Sequence, residues 1–331
     1  MIVVRTPFRL PLGGGGTDLP SYYKNHEGFL ITAAVNKYMY ININKPAIVD
    51  KISIKYSKVE SVDVKDISLI KHEIVREAFK YLNIDCPLEV SSMADLSAGT
   101  GMGSSSSYTV GLLRALNQMK KRFISVQELA EEACKIEIDM VGKPIGKQDQ
   151  YAAAFGGIIE LNIDKSGNVK VTPLPLHEEI IYEMENRLMM FYTNIERDAN
   201  MILAEQSSKA KANEEDVIEA MHQIKNIGYR VKESLIEGDV CSFGELLHEH
   251  WLTKKAISNK MSSSQIDDWY DLAMRNGALG GKVMGAGGGG FMLFCVGNGK
   301  RKHLRKTLEE AGLRYMDFKF DFEGVKVLAN V

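Results

Sequence analysis

Between Ser97 and Ser107 the chain runs Gly99-Thr-Gly-Met-Gly103 and then Ser104-Ser-Ser-Ser107, and leads straight into a helical pattern. In that pattern Leu112, Leu113, Leu116 and Met119 share one face. The combination demands a tight loop opening onto a helix. Glycines let backbone approach an anion closely, and a helix start presents unpaired N–H groups with partial positive charge. Serine hydroxyls can cap those N–H groups or ligate a metal through oxygen. No acidic residue lies between Ser97 and Ser107 to compete with a phosphate. The segment is not a Walker A loop, because no Gly-Lys-Ser/Thr follows. By itself it is equally consistent with a plain serine-capped loop.

Two further glycine clusters need separate weighing. Residues 285–290 of Lys282-Val-Met-Gly285-Ala-Gly-Gly-Gly-Gly290 satisfy GxGxxG. A dinucleotide fingerprint must open a helix and have an acidic residue about 20 positions on. Here the strand-like Phe291–Val296 follows, so that reading fails. A glycine loop joining two strands beside a ligand survives, as does a tight hairpin. The stretch Arg9-Leu-Pro-Leu-Gly13-Gly-Gly-Gly16-Thr17-Asp18 can line a substrate, or form a turn capping a helix from Pro20.

Two acids stand out. On the helix that Ser125 opens, with Glu128 completing a capping box, Val126, Ala130, Ala133 and Glu137 fall on one line. An ionised carboxylate in that apolar stripe is costly unless it is paired, which a metal ion or a buried arginine would do equally well. Asp149 sits before the small residues Ala152–Ala154, which permit close approach, or else it is a surface carboxylate paired with Lys147 or another base. The pair His248-x-His250 reads as surface or core rather than a metal site, since helix geometry turns the two rings apart.

The 331 residues suffice for two modest domains. Lysine and arginine total 41 against 43 acidic residues, which excludes a global attraction for nucleic acid or an anionic membrane. The 4 cysteines never take CxxC spacing, so no zinc site or disulfide framework is expected. No apolar run is long enough for a bilayer, and the expected location is cytoplasmic. The first half reads as strands and short helices, with strands near 157–163 and 168–174 and a helix over 68–82. Long helices follow (200–236, 240–259, 264–276), then a strand at 291–296, a helix near 300–312 and a closing strand. Two α+β lobes, 1–178 and 179–331, fit this texture.

In order, the three glycine segments resemble the motifs of the galactokinase–homoserine kinase–mevalonate kinase–phosphomevalonate kinase (GHMP) family, over nearly the whole chain. Gly101–Ser107 is similar to the family's phosphate loop, and Lys282–Gly290 to its C-terminal glycine motif. Arg9 and Asp18 keep the arginine-to-Thr-Asp spacing of the first motif, and Glu137 precedes Asp149 by 12 residues, as in galactokinase-like members. Within the family, the segments Pro7–Leu19 and Gly146–Gly157 most resemble D-glycero-D-manno-heptose 7-phosphate kinases. Galactokinases carry Gly-Glu-His-Thr-Asp where this chain has Gly14-Gly15-Gly16-Thr17-Asp18.

The resemblance implies a ribosomal-protein-S5-like N-terminal lobe and a ferredoxin-like C-terminal lobe, with ATP and sugar in the cleft. It implies an ATP- and Mg²⁺-dependent kinase of the sugar's anomeric hydroxyl, with homo-oligomerisation left open. Gly99, Gly101, Met102, Gly103, Ser104, Ser105 and Ser106 would cradle the ATP phosphates. Ser105 and Glu137 would hold Mg²⁺. Asp149 would take or orient the hydroxyl proton, and Arg9 would keep Asp149 ionised. Gly15, Gly16, Thr17, Asp18, Gly285, Ala286, Gly287 and Gly288 would contact the sugar. The distal phosphate would meet Arg197, with Lys24, Lys37 and Lys143 as alternatives. Two other readings keep the fold: a kinase of another sugar or small alcohol, fucose- or galactose-like, and an inactive ATP-binding regulatory protein.

Overall fold

The computed structural model describes residues 1–195, 208, 215–257 and 261–331. Its backbone starts with two long strands, β1 (Ile2–Gly13) and β2 (Gly28–Asn44), joined through the glycine turn and the short helix α1 (Pro20–His26). β1 pairs antiparallel with β2 along nearly its whole length. Its register shifts at Pro7/Phe8 and Pro11/Gly13, as expected where proline cannot donate to a ladder. On its other side β1 meets β12 (Lys326–Asn330) only through Ile2–Arg5. Beyond Arg5 no strand among the described residues pairs with that edge, and the Arg9 N–H donates instead to the Met102 carbonyl at 3.1 Å. The glycine-serine loop is thereby docked on β1.

β2 serves two neighbours in turn. Gly28–Ala33 pairs with β6 (Ile158–Ile163), which carries β7 (Val169–Pro173). Met39–Asn44 pairs with β5 (Leu88–Ala94). β3 (Lys51–Lys55) joins β5 in parallel and carries β4 (Val59–Asp63), completing an 8-stranded sheet. The lysine-rich region around residues 50–70 is thus a hairpin followed by a 3₁₀ turn (Val64–Leu69). The helix expected over 68–82 starts later, as α2 (Glu73–Tyr81). Helices α3 (Ser104–Met119) and α5 (Gln148–Phe155) pack on β1 and β2, and α4 (Val126–Cys134) packs against both helices.

The second half is built on a 4-stranded antiparallel sheet, ordered β11 (Arg314–Met316), β8 (Leu188–Tyr192), β10 (Phe291–Val296), β9 (Ala278–Val283). The helix α6 (Glu178–Arg187) leads into it, and α10 (Arg301–Glu310) precedes β11. Phe191, Phe294, Trp251 and Tyr270 form its apolar centre with α8 (Val240–Ile257) and α9 (Ser264–Arg275). α7 (Glu215–Ile236) packs on α8 and also on β1 and β2, so it joins the two halves. The closing strand β12 returns to the first sheet rather than the second.

Candidate active site

Arg9 is the point where three elements meet. Its Nε donates to Asp149 Oδ1 at 2.6 Å and its Nη2 to Asp149 Oδ2 at 3.0 Å, while Nη1 donates to the Gly101 carbonyl. A planar guanidinium fixes a carboxylate in both position and orientation through such a fork. Gly103 makes the closure possible. It is the N-cap of α3 with φ 80°, and a Cβ there would stand 3.0 Å from Asp149 Oδ2 and 3.1 Å from Arg9 Cγ. Among the described residues no side chain caps this helix start, so its first-turn N–H groups keep donor capacity for an anion.

Glu137 lies on a π-helical turn, Lys135–Met140, that continues α4. Such turns redirect side chains that a regular helix would keep in register. Glu137 is 0% exposed. Its Oε1 accepts from the Ser105 hydroxyl and lies 3.3 Å from Lys143 Nζ, while Oε2 accepts from Gln150 Nε2 at 2.8 Å. Both readings of this carboxylate are therefore represented: a base pairs with it, the half-buried Lys143 in place of a buried arginine, and a hydroxyl oxygen joins it at the phosphate loop. A hard cation that takes few protein oxygens fits this pair, with Lys143 standing in the same place as a competing charge. Groups of three or more His, Cys, Asp or Glu side chains suited to a metal are absent among the described residues.

A cavity of about 970 Å³ runs past these groups. Gly99, Gly101, Gly103 and Ser104–Ser106 line it beside Arg9 and Asp149. At one end stand Met39, Tyr56, His72, Met93, Leu96 and Tyr108, with the His72 and Tyr108 rings stacked at 4.8 Å. At the other are Gly15, Gly16, Asp18, Gly285 and Ala286. Asp18 accepts from the N–H groups of Gly16 (3.1 Å) and Gln148 (2.9 Å). Burial, reinforced by the charge of Asp149, nevertheless holds its carboxyl above the ordinary range.

Some expected site residues lie behind the wall. Thr17 is buried, its hydroxyl lies within donating distance of the Gly14 and Phe29 carbonyls, at 2.9 and 2.8 Å, and accepts from Phe29 N at 3.1 Å, so it shapes the turn. The Met102 side chain enters the core. Gly287 and Gly288 face Met261, whose carbonyl accepts from Gly288 N at 2.8 Å. Arg197 lies outside the described residues. Of the alternative lysines, Lys143 reaches the cavity, whereas Lys24 and Lys37 do not line it. Sequence reasoning passed over Gln150 and Lys254, and it read His250 as surface or core, of which the core half holds. The signal for the last two was a polar pair at i, i+4 on a helix whose other inward positions are apolar.

Residues 68–157 match the GHMP kinases N terminal domain, and residues 231–312 match the GHMP kinases C terminal domain. The D-glycero-alpha-D-manno-heptose 7-phosphate kinase of Campylobacter jejuni is 34% identical, over 98% of each chain. This chain belongs to the GHMP kinase family. A galactokinase of Pyrococcus furiosus is 27% identical over 97% of this GHMP kinase and 95% of its own length. A crystal structure described as a D-glycero-D-manno-heptose 1-phosphate kinase from Bacteroides thetaiotaomicron superposes with TM-score 0.81 at 27% identity, covering 100% of both chains. The α+β, two-lobed fold is that of GHMP kinases. This GHMP kinase is accordingly a sugar kinase, a phosphotransferase with an alcohol acceptor, and ATP is its phosphate donor. Among the described residues no helix is long and apolar enough to cross a membrane.

Proposed function

We propose that this kinase transfers the γ-phosphoryl group of ATP to the anomeric hydroxyl of D-glycero-D-manno-heptose 7-phosphate, giving the 1,7-bisphosphate. The observation that carries the reading is the Arg9–Asp149 fork at the cavity wall, between an uncapped helix start and a glycine-lined turn. A relative named for that substrate, similar over 98% of the chain, supports the choice of sugar.

In this reading the adenine lies among Met39, Tyr56, His72 and Tyr108, where apolar and aromatic surface receives a flat ring. The phosphates then run toward the first turn of α3, whose N–H groups and the Ser104–Ser106 hydroxyls accept their charge. The acceptor hydroxyl attacks the γ-phosphorus, its proton passes to an Asp149 oxygen, and the bond to the β-phosphate oxygen breaks to release ADP. Arg9 fixes Asp149 for that proton transfer and adds positive charge beside the phosphoryl group as it moves. Asp18 and the N–H groups near Gly16 face the sugar hydroxyls. Mg²⁺, when bound, would be held by Ser105 and Glu137 and would neutralise phosphate charge. Positioning and charge stabilisation are the main demands of phosphoryl transfer, so this small set of groups is sufficient.

ADP release from Mg-ATP, measured with heptose 7-phosphate, the unphosphorylated heptose, mannose 6-phosphate, galactose, fucose and mevalonate, tests the proposal. Heptose 7-phosphate is expected to give the highest kcat/KM. A preference for a bare sugar would retain the fold and the Asp149 chemistry but remove this substrate.

A further inference from the structure

One side of α8 opens onto the acceptor end of the cavity. His250 and Lys254, one helical turn apart, line it together with Lys282 of β9. His250 is 2% exposed, and neither of its ring nitrogens has a hydrogen-bond partner among the described residues. Lys254 Nζ donates to the Gly285 carbonyl at 2.6 Å, and Lys282 Nζ donates to the Leu12 carbonyl at 3.2 Å. An ammonium has three N–H donors, so each lysine keeps capacity beyond its one such bond among the described residues.

The nearby carboxylates already have partners of their own. Asp149 is forked by Arg9, and the Asp18 carboxylate accepts from the N–H groups of Gly16 and Gln148. Neither lysine forms an ion pair among the described residues, although Lys282 is only 2% exposed. Two unmatched ammonium groups and an orphaned imidazole in one buried place are costly unless an anion comes to meet them. The cost is visible in Lys254, which burial, with Arg9 nearby, holds down at about 8. Lys282 is likewise lowered, by burial first and then by Lys254 and Arg9.

We propose that His250, Lys254 and Lys282 form a second anion site that receives the phosphate monoester already carried by the acceptor sugar. The inference rests on the heptose 7-phosphate reading and assigns the residues that separate a phosphorylated acceptor from a bare one. A dianionic phosphate matches two ammonium charges, and its oxygens can take the unused lysine N–H groups and an imidazole N–H. The ATP phosphates have donors of their own at the start of α3.

The test compares kcat/KM for heptose 7-phosphate with that for the same heptose lacking its phosphate, in the wild type, Lys254→Met and Lys254→Arg. The preference for the phosphorylated acceptor should fall about tenfold or more in Lys254→Met, mainly through KM, and be partly restored in Lys254→Arg. Equal losses on both acceptors through kcat would place Lys254 at the transferring phosphoryl group and overturn the proposal. Calorimetric titration of inorganic phosphate into protein saturated with a non-hydrolysable ATP analogue and Mg²⁺ gives a readout independent of turnover. Binding is expected in the wild type and should weaken in Lys254→Met and His250→Gln; absence of binding in the wild type would refute the site. Phosphate binding in a wild type that phosphorylates neither heptose would remove the heptose reading and leave the anion site standing.

Discussion

Asp149 has both carboxylate oxygens held by Arg9, so its amide counterpart would keep the side-chain volume while losing the proton acceptor, one charge of the pair and one of the two bonds from Arg9. Asp149→Asn should lower kcat by roughly 10²-fold or more, with a much smaller change in ATP affinity. A kcat near the wild-type value would take Asp149 out of the chemistry. Lys254 allows a prediction of different kind. It faces Arg9, Asp18, His250 and Lys282, and burial holds it at about 8 rather than near 10.5. Its positive charge is therefore present below pH 8 and lost as pH rises through that value. KM for a phosphorylated acceptor should rise between pH 7.5 and 9 in the wild type, and Lys254→Arg should flatten the profile, since arginine stays charged. An unchanged profile in that variant would assign the titration to another group.

At the scale of elements, the π-helical turn after α4 decides where the metal-side carboxylate goes. Glu137→Gln keeps the hydrogen-bonding size and removes the charge shared by Ser105 and Lys143, so the Mg²⁺ concentration for half-maximal turnover should rise. An unaltered Mg²⁺ titration would return Glu137 to a purely structural ion pair. How much of this was legible depended on how local each signal was. The loop before α3 could be read because glycines, serines and the following apolar stripe occupy consecutive positions. Helical periodicity also placed Glu137 in the buried stripe, but it assumed a uniform turn and so could not foresee Lys143 and Gln150 closing on it. The adenine end was illegible, since Met39, Tyr56, His72 and Tyr108 come from separate parts of the chain and share no motif. The cationic corner was passed over for another reason. His250 was weighed only beside His248, as a metal pair that helix geometry rejects, whereas the informative neighbour was Lys254, one turn further along α8.

At the scale of the whole molecule, the two halves meet where α7 lies on the acceptor turn. A Cβ on Gly228 would stand 3.1 Å from Gly14 Cα and 3.1 Å from Phe29 Cδ1, and one on Gly13 would stand 3.1 Å from Val231 Cβ. Next to it Tyr229 stacks on Phe29 at 3.9 Å. The helix of one half is thus seated directly on the backbone that leads to Gly15, Gly16 and Asp18 in the other. This contact has glycine on both sides, so a side chain cannot be absorbed by a rotamer change and must displace backbone. Gly228→Leu should destabilise the protein by about 1–3 kcal/mol, lowering Tm by about 3 °C or more. Because the displaced backbone belongs to the sugar side, KM for the acceptor should rise several-fold more than KM for ATP. A lower Tm with both KM values unmoved would mean that α7 only holds the halves together. A selective loss of acceptor affinity would mean that the seating of one lobe on the other sets the geometry of the sugar site.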